Sequence, residues 1–214
     1  MKVLELSDPR SFEIASKEAA LTLLKDGAVV YPTDTIYGLG VNALDEFAVG
    51  RLFKIKKRPA ERAVPIMVSS LTMARALAFI DQRQERILNE LWPGPFTFVL
   101  WKKKIVSGRL TGGKETVALR IPAHPFCQSM LRDFEGPVTT TSANVSDELP
   151  LTSAESIAER FQKEEFRPDL IINAGVLPES YPSTIIDLTH EPPKILRINP
   201  TTKEQLLKIL KVIE

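Results

Sequence analysis

The chain has 214 residues, of which 43% are hydrophobic and 26% are charged, and its formal net charge is +1. These values are typical of soluble globular proteins, so they argue against a disordered chain, and the near-zero charge argues against binding of nucleic acid over the whole surface. No apolar run approaches the roughly 20 residues that a bilayer requires, and the opening MKVLELSDPR lacks the apolar core of a signal peptide, so we expect a cytoplasmic protein.

The first part of the chain predicts a helix, a strand and a second helix. Apolar or small residues recur every three to four positions in SFEIASKEAALTLLKDG (11–27), which predicts a surface helix that ends at Gly27. AVVYP (28–32) predicts a buried strand. DEFAVGRLFKIKKR (45–58) predicts a second helix with Asp45 as its N-cap, and this helix carries basic residues to its end.

The middle of the chain predicts strands that flank two helices. PIMVS (65–69) predicts a strand, after which Ser70 caps a short helix and a further helix covers 82–91. The next elements are the strands FTFVLW (96–101) and TVALRIP (116–122), with the loop GRLTGG (108–113) between them.

The last part of the chain returns to short strands and helices. HPFCQSMLRDF (124–134) predicts a helix, and PVTTT (137–141) predicts a short strand. Thr152 and Thr201, each followed three residues later by Glu, match the capping-box pattern, and the second opens a predicted C-terminal helix over about 201–213. Three further predicted strands are DLIIN (169–173), STIIDL (183–188) and KILRI (194–198).

The element order predicts one domain of the α/β (α+β) class. Strands alternate with helices, and some are joined by hairpin-length loops, which favours a mixed parallel and antiparallel sheet. No internal repeat, low-complexity tract or linker rich in Gly, Ser or Pro divides the sequence. We therefore expect a single domain over 1–214 that is built on one mixed sheet.

Motifs for metals and common nucleotide folds are incomplete. Cys127 is the single cysteine, and with two histidines it gives no zinc spacing, so we expect a buried thiol and no metal held by side chains. GRLTGGKE (108–115) has the spacing of a phosphate loop, but Glu115 stands where Ser or Thr binds magnesium, and a predicted strand follows it. GLGVNA (38–43) fits the loose dinucleotide pattern, but TDTIY separates it from its strand. We reject both interpretations.

Short polar stretches occur where several predicted strands end. Each has an ordinary structural explanation, such as Thr33 as a helix cap or Arg120 in a surface ion pair. Together they favour an anion pocket, because ligands of open α/β sheets bind at strand ends and these loops carry hydroxyls and cations. The stretches are PTDT (32–35), KKRP (56–59), LRIP (119–122), TTTSAN (139–144), Ser183 with Thr184, and ILR (195–197).

The ordered motifs are similar to those of a known enzyme family. They resemble the short, single-domain members of the YrdC-like threonylcarbamoyl-adenylate synthase family, over about Lys17 to Arg197. The resemblance implies a twisted α/β sheet around a deep basic cavity. It also implies synthesis of threonylcarbamoyl-AMP and diphosphate from L-threonine, bicarbonate or CO2, and ATP, for the threonylcarbamoyladenosine modification of tRNA beside the anticodon. The motifs are YPTDTIYGLG (31–40), KIKKRP (54–59), WPGPFTFVL (92–100), VALRIPAHP (117–125), SANVS (142–146) and STIIDL (183–188).

The resemblance also implies roles for single residues. The implied L-threonine site consists of Thr33, Arg120, Thr140 and Ser183. The implied ATP site consists of Lys56, Arg58, Arg62, Thr116, Ser142, Asn144 and Arg197, with Lys56 and Arg58 as the catalytic cations. Magnesium would accompany ATP, and the other implied partners are downstream tRNA-modification proteins and tRNA or double-stranded RNA, with no membrane.

The sequence departs from the family pattern and leaves some roles open. A histidine that some members carry after the K-x-R segment is missing, with Met67 or Ser69 in that neighbourhood. Asp34 could bind magnesium or stabilise a turn. We expect Gly38 and Gly40 to let the backbone turn at the cavity wall.

Two other functions remain open at this stage. The basic segment RLFKIKKRPAER (51–62) could belong to an RNA-binding module without adenylation activity, although the aromatic fraction of only 7% offers little stacking surface. A carbamoyl-adenylate-forming domain of the hydrogenase-maturation type shares the motifs but not the substrate. We expect no room in this chain for the additional domains of that protein.

Overall fold

A computed structural model of the protein describes residues 1–178 and 180–206. The strands, in chain order, are β1 (Lys2–Glu5), β2 (Val29–Tyr31), β3 (Gly38–Gly40), β4 (Ile66–Met67), β5 (Phe96–Trp101), β6 (Thr116–Arg120), β7 (Val138–Thr139), β8 (Thr141–Ser142), β9 (Leu170–Asn173), β10 (Thr184–Asp187) and β11 (Lys194–Arg197). The helices are α1 (Pro9–Leu24), α2 (Glu46–Lys56), α3 (Leu71–Leu77), α4 (Gln82–Leu91), α5 (Gly108–Thr111), α6 (Pro125–Phe134) and α7 (Ala154–Gln162), followed by a 3-10 turn at Pro200–Thr202. Within the described ranges, no helix has the length and apolar character needed to cross a membrane.

The strands form two mixed sheets, whereas the sequence pattern predicted one. The first sheet has the order β1-β9-β2-β3-β8, and the second has the order β11-β10-β5-β6-β4-β7. Each contains parallel and antiparallel pairs, such as β2 with β9 and β2 with β3, so the predicted mixed α/β class is confirmed. Strands β7 and β8 flank the single residue Thr140 but belong to different sheets. The chain therefore passes from one sheet to the other at Thr140.

Two of the predicted helix ends are displaced by one residue. The left-handed residue after α1 is Asp26, with φ 58°, so the predicted stop at Gly27 is wrong. Asp tolerates this conformation because its short polar side chain can bond locally. Ser153 caps α7 by accepting a hydrogen bond from the backbone N–H of Ser156, a role that the capping-box pattern gave to Thr152.

The C-terminal segment also begins differently from the prediction. Asn199, not Thr201, is the capping residue, since its side chain accepts the backbone N–H of Thr201. Leu206 is buried and packs into the core. The rest of the helix predicted over about 201–213 lies outside the described residues from position 207 onward.

Strands β2 and β9 of the first sheet are covered on both faces, which explains their continuous apolar sequences. Val30 and Ile171 face the larger core cluster, whereas Val29, Tyr31 and Leu170 face a second cluster formed with α1 and α6. Side chains alternate across a strand, so a strand buried on both faces must be apolar at every position. The polar segment that follows β2 therefore begins at a strand whose position is fixed by packing on both faces.

Two glycines of β3 allow this sheet to pack closely. A Cβ atom on Gly40 would lie 2.3 Å from the backbone oxygen of Thr139, and one on Gly38 would lie 2.6 Å from the ring of Tyr31. Neither glycine has the positive φ of a turn. Both have the extended backbone of β3 and pair with residues of β2. The expectation that they turn the backbone is therefore wrong; they permit close approach instead.

Candidate active site

A cavity of about 270 Å³ lies between the two sheets, where the polar segments predicted from the sequence meet. It is lined by hydroxyl groups, by small apolar side chains and by three guanidinium groups. Seven of the predicted site residues line it: Thr33, Arg58, Arg120, Thr140, Ser142, Ser183 and Arg197. The expectation that separate loop tips share one cavity therefore agrees with the geometry.

The cavity carries more positive than negative charge, because among the described residues only Arg120 of its three arginines is paired with a carboxylate. Its cations are Arg58, Arg120 and Arg197, and no Asp or Glu lines it within the described part of the chain. Burial and the neighbouring charge of Arg62 lower the pKa of Arg58, while burial and the charge of Arg120 lower the pKa of Arg197. An anion that enters would relieve this repulsion, so the geometry favours a negatively charged ligand.

Arg120 is buried and held at three points. Its Nε donates to the oxygen of Gly94 at 3.1 Å, its Nη1 to Oγ1 of Thr35 at 3.0 Å, and its Nη2 to Oδ1 of Asp34 at 2.7 Å. A guanidinium group has five N–H donors, so two of those on Arg120 remain for a ligand once these three are counted. This geometry suits a carboxylate, which can accept two parallel hydrogen bonds.

Asp34 is an ion-pair partner of Arg120. Its Oδ2 atom is buried and has no hydrogen-bond partner among the residues that the structure describes. Over the same residues, no three His, Cys, Asp or Glu side chains come together as potential metal ligands. The side chains therefore do not fit a divalent cation held by the protein alone.

The hydroxyl groups of the cavity are oriented by neighbours. Thr33 accepts the backbone N–H of Thr35 at 3.0 Å and donates to the oxygen of Ile36 at 2.7 Å, which closes the turn after β2. The hydroxyls of Ser183 and Thr97 lie 2.8 Å apart. These bonds leave the hydroxyls in fixed positions before any ligand binds.

Two of the cavity cations are fixed by backbone oxygens. Arg58 donates from Nε to Arg62 at 3.0 Å and from Nη2 to Ala63 at 2.7 Å. Arg197 donates from Nε to the backbone oxygen of Ser183 at 2.9 Å. A positioned cation can stabilise developing charge without first having to reorganise.

Two predicted ATP residues lie behind the cavity wall. Lys56 is 1% exposed, and its ammonium group contacts the backbone oxygens of Ser142 and Asn144 at 2.6 and 2.8 Å. Burial, together with the nearby charge of Arg58, lowers the pKa of Lys56 to about 7. Both ends of the Asn144 amide bond to protein groups, since Oδ1 accepts from Lys56 and Nδ2 donates to the oxygen of Glu148.

Two further predicted ATP residues also lie outside the cavity lining. Arg62 forms a half-exposed ion pair with Asp147 at 2.7 Å. Thr116 begins β6 and pairs in register with Trp101, at the end of the strand opposite Arg120. The structure therefore does not bring these two side chains into the lining with the other predicted residues.

The basic segment 51–62 is largely neutralised by pairing. Arg51 forms two hydrogen bonds with the carboxylate of Asp169, at 2.5 and 2.8 Å, and Lys57 pairs with Glu164 at 2.8 Å. Lys54 lies over a phenylalanine ring, 4.9 Å from its centre. The segment therefore does not form the continuous positive stripe that an RNA-binding module would need.

Several lining residues were missed by sequence reasoning. Thr97 lies inside the predicted strand FTFVLW, and its neighbours Phe96 and Phe98 are fully buried in the core. The sequence did contain a signal for Thr97, because side chains alternate along a strand. A hydroxyl between two aromatic core residues must therefore face away from that core.

The rejected phosphate-loop motif forms the four-residue helix α5 and then leads into β6.

A family model and several known proteins match this chain. The model Sua5_yciO_yrdC, described as "Telomere recombination", matches residues 22–198. A threonylcarbamoyl-AMP synthase of Pyrococcus abyssi is 39% identical over 193 residues, which cover 89% of this chain and 56% of the relative. The chain thus spans little more than half the length of that relative.

The solved structures agree with the fold. Sua5 of P. abyssi complexed with L-threonine is 37% identical with a TM-score of 0.83, and the match covers 92% of this chain and 57% of that one. YciO of E. coli is 30% identical with a TM-score of 0.81, and the match covers 93% of this chain and 95% of that one. The fold is therefore shared with both proteins.

Proposed function

The chain belongs to the Sua5_yciO_yrdC family, and on that premise we propose that it is an L-threonylcarbamoyladenylate synthase. It would form threonylcarbamoyl-AMP and diphosphate from L-threonine, bicarbonate or CO2, and ATP. The observation that carries this proposal is the cavity with three guanidinium groups and no lining carboxylate among the described residues. The Pyrococcus abyssi relative is named threonylcarbamoyl-AMP synthase, which supports the same reaction.

The two substrates would bind side by side, on either side of the hydrogen bond between Arg197 and Ser183. We assign the carboxylate of L-threonine to Arg120, with Thr33, Thr140 and Ser183 around its polar groups. We assign the triphosphate to Arg58, Arg197 and Ser142. Arg197 donates to the backbone oxygen of Ser183 at 2.9 Å, so the amino-acid and nucleotide residues are direct neighbours. This proximity raises the effective concentration of one substrate at the other.

The chemistry needs positioned cations more than a general base. The neutral amine of threonine, formed when its ammonium group loses a proton to solvent, adds to CO2 and loses a second proton to solvent, which gives a carbamate. A carbamate oxygen then bonds to the α-phosphorus while the bond from that phosphorus to diphosphate breaks. Both reactants are anionic, so Arg58 and Arg197 would neutralise the phosphate charge in the ground state and the transition state. The cavity between the sheets would exclude water from the carbamate.

Three of the four predicted residues outside the lining, Arg62, Asn144 and Thr116, receive roles at the edge of the site. Arg62 orients Arg58 through its backbone oxygen, and Asn144 supports the loop that presents Ser142. Thr116 could reach only a part of the nucleotide that extends beyond the cavity. Magnesium would enter with the phosphates of ATP, because the described side chains offer no cluster of ligands for it.

The partners beyond the substrates follow from the product. We propose that downstream tRNA-modification proteins consume the adenylate, and that the reaction takes place in the cytoplasm, where tRNA is modified. Direct contact with tRNA would need cations beyond segment 51–62, since four of the six cations in that segment pair with acidic side chains or an aromatic ring.

One assay separates the proposed function from its alternatives. Purified protein is incubated with ATP, magnesium and bicarbonate, with L-threonine or carbamoyl phosphate or neither, and diphosphate release is measured. We expect release that depends on threonine, with a threonylcarbamoyl-AMP mass in the products. Release that depends on carbamoyl phosphate would favour the hydrogenase-maturation chemistry. Salt-sensitive RNA binding without any release would favour an RNA-binding module.

A further inference from the structure

The ammonium group of Lys56 is surrounded by acceptors from one short segment of the chain. It lies 2.6 Å from the oxygen of Ser142, 2.8 Å from the oxygen of Asn144 and 3.1 Å from Oδ1 of Asn144. An ammonium group has three N–H donors, and these three acceptors match all of them. None of the donors is then left for a phosphate oxygen.

The same segment is tied to Lys56 at a second point. The backbone N–H of Ser146 donates to the backbone oxygen of Lys56 at 2.9 Å. The hydroxyl of Ser142 in turn donates to Oδ1 of Asn144 at 2.5 Å, and the Asn144 amide donates to the oxygen of Glu148. Lys56, at the end of α2, therefore holds the loop 142–148 by its side chain and by its backbone.

Only one end of this network reaches the cavity. Ser142 lines the cavity, whereas Lys56 and Asn144 are buried behind it at 1% and 4% exposure. A side chain that reaches a ligand must expose at least one atom to the cavity. Lys56 can therefore affect the ligand only through the loop that it holds.

We propose that Lys56 is a positioning residue that fixes Ser142 and its loop for ATP, and that it does not itself contact the nucleotide. The proposal rests on the proposed function for its ligand and revises the catalytic role that the sequence motif implied for Lys56. The motif spacing is explained by this arrangement: Lys56 ends α2 inside the protein, and Arg58, two residues later, faces the cavity.

The test combines ATP binding with hydrogen exchange. The variants are Lys56→Met, Ser142→Ala, the double variant, and Lys57→Met as the matched control on the neighbouring exposed lysine. Hydrogen–deuterium exchange of residues 142–148 reports the loop without any need for turnover, and calorimetry reports the affinity for ATP. If Lys56→Met does not fold, Asn144→Ala replaces it, since it removes the side-chain acceptor that Lys56 and Ser142 share.

We expect Lys56→Met to speed exchange in the loop at least about 10-fold, whereas Lys57→Met leaves it unchanged. Ser142→Ala should weaken ATP binding about 5- to 10-fold, as expected for one lost hydrogen bond. The double variant should then bind ATP within about 2-fold of Lys56→Met, because both changes act through one contact.

Two results would overturn the proposal. The first is unchanged exchange in Lys56→Met together with lost ATP affinity, which would mean that Lys56 contacts the nucleotide. The second is a double variant whose loss equals the product of the two single losses. If the unmodified protein binds no ATP, the proposed function fails, and the exchange result alone then decides whether Lys56 holds the loop.

Discussion

Replacing Arg58 by alanine should remove most of the activity and little of the stability. The guanidinium is half-buried in the cavity wall, and no carboxylate lies within 4.0 Å of it in the described part of the chain. Two charge-assisted hydrogen bonds to phosphate are each worth about 1.5–3 kcal/mol, so Arg58→Ala should lower kcat/KM for ATP by about 10² to 10⁴-fold.

The folded state should tolerate the same change. Arg58 loses its hydrogen bonds to the oxygens of Arg62 and Ala63, at 3.0 and 2.7 Å, which costs about 1–3 kcal/mol. Its removal also relieves repulsion with the neighbouring charge of Arg62, which offsets part of that cost. The free energy of unfolding should therefore fall by less than about 3 kcal/mol.

Diphosphate release at a series of ATP concentrations measures the effect of Arg58→Ala. Lys57→Ala is the matched control, because its exposed ion pair with Glu164 is worth about 0–1 kcal/mol and lies away from the cavity lining. An Arg58→Ala enzyme within about 3-fold of the unmodified protein would refute the assignment of the triphosphate to this residue. Lost activity together with a collapsed urea midpoint would show that Arg58 acts on folding instead.

Three further predictions concern the residues around the cavity. Asp34→Ala leaves Arg120 as an unpaired buried charge and should lower the free energy of unfolding in urea by about 3–5 kcal/mol. L-Threonine should restore part of this loss, and unchanged stability would contradict the pairing. Cys127 is buried, and burial raises the pKa of its thiol. A thiol reagent at pH 8 should therefore label it only in denaturant, and rapid labelling of the folded protein would contradict this placement. Gly40→Ala would put a Cβ atom 2.3 Å from a backbone oxygen and should cost about 1–3 kcal/mol of unfolding free energy. The control Gly108→Ala meets nothing within 4 Å, and an equal loss in both variants would contradict the packing argument.

Local sequence patterns were sufficient for most of the helices and strands. The helix predicted over 82–91 has those bounds in the structure, and Asp45 and Ser70 cap α2 and α3 as predicted. The division into two sheets could not be predicted in this way, because it depends on the change of partner at Thr140, between two-residue strands. Pairing over long sequence separations leaves no periodic signal in segments this short.

The candidate site was predicted better in its location than in its contacts. Motifs at strand ends placed Thr33, Arg120 and Ser183 at one cavity, because strand ends share an edge of the fold. The motifs could not separate Lys56 from Arg58, since both are cations within one short segment. Their different positions, Lys56 buried and Arg58 in the cavity lining, depend on the left-handed turn at Lys57, with φ 49°, which directs the chain away from the end of α2.

A crystal structure with L-threonine and a non-hydrolysable ATP analogue tests the central claim most directly. We expect L-threonine and the phosphates of the analogue in the cavity of about 270 Å³, with the threonine carboxylate on Arg120 and the phosphates on Arg58 and Arg197. The threonine amine and the α-phosphorus should lie on the two sides of the contact between Arg197 and Ser183, with space between them for the carboxyl group that CO2 supplies. Ligands bound on another face of the protein, or only one ligand bound in a cavity too small for both, would contradict the account.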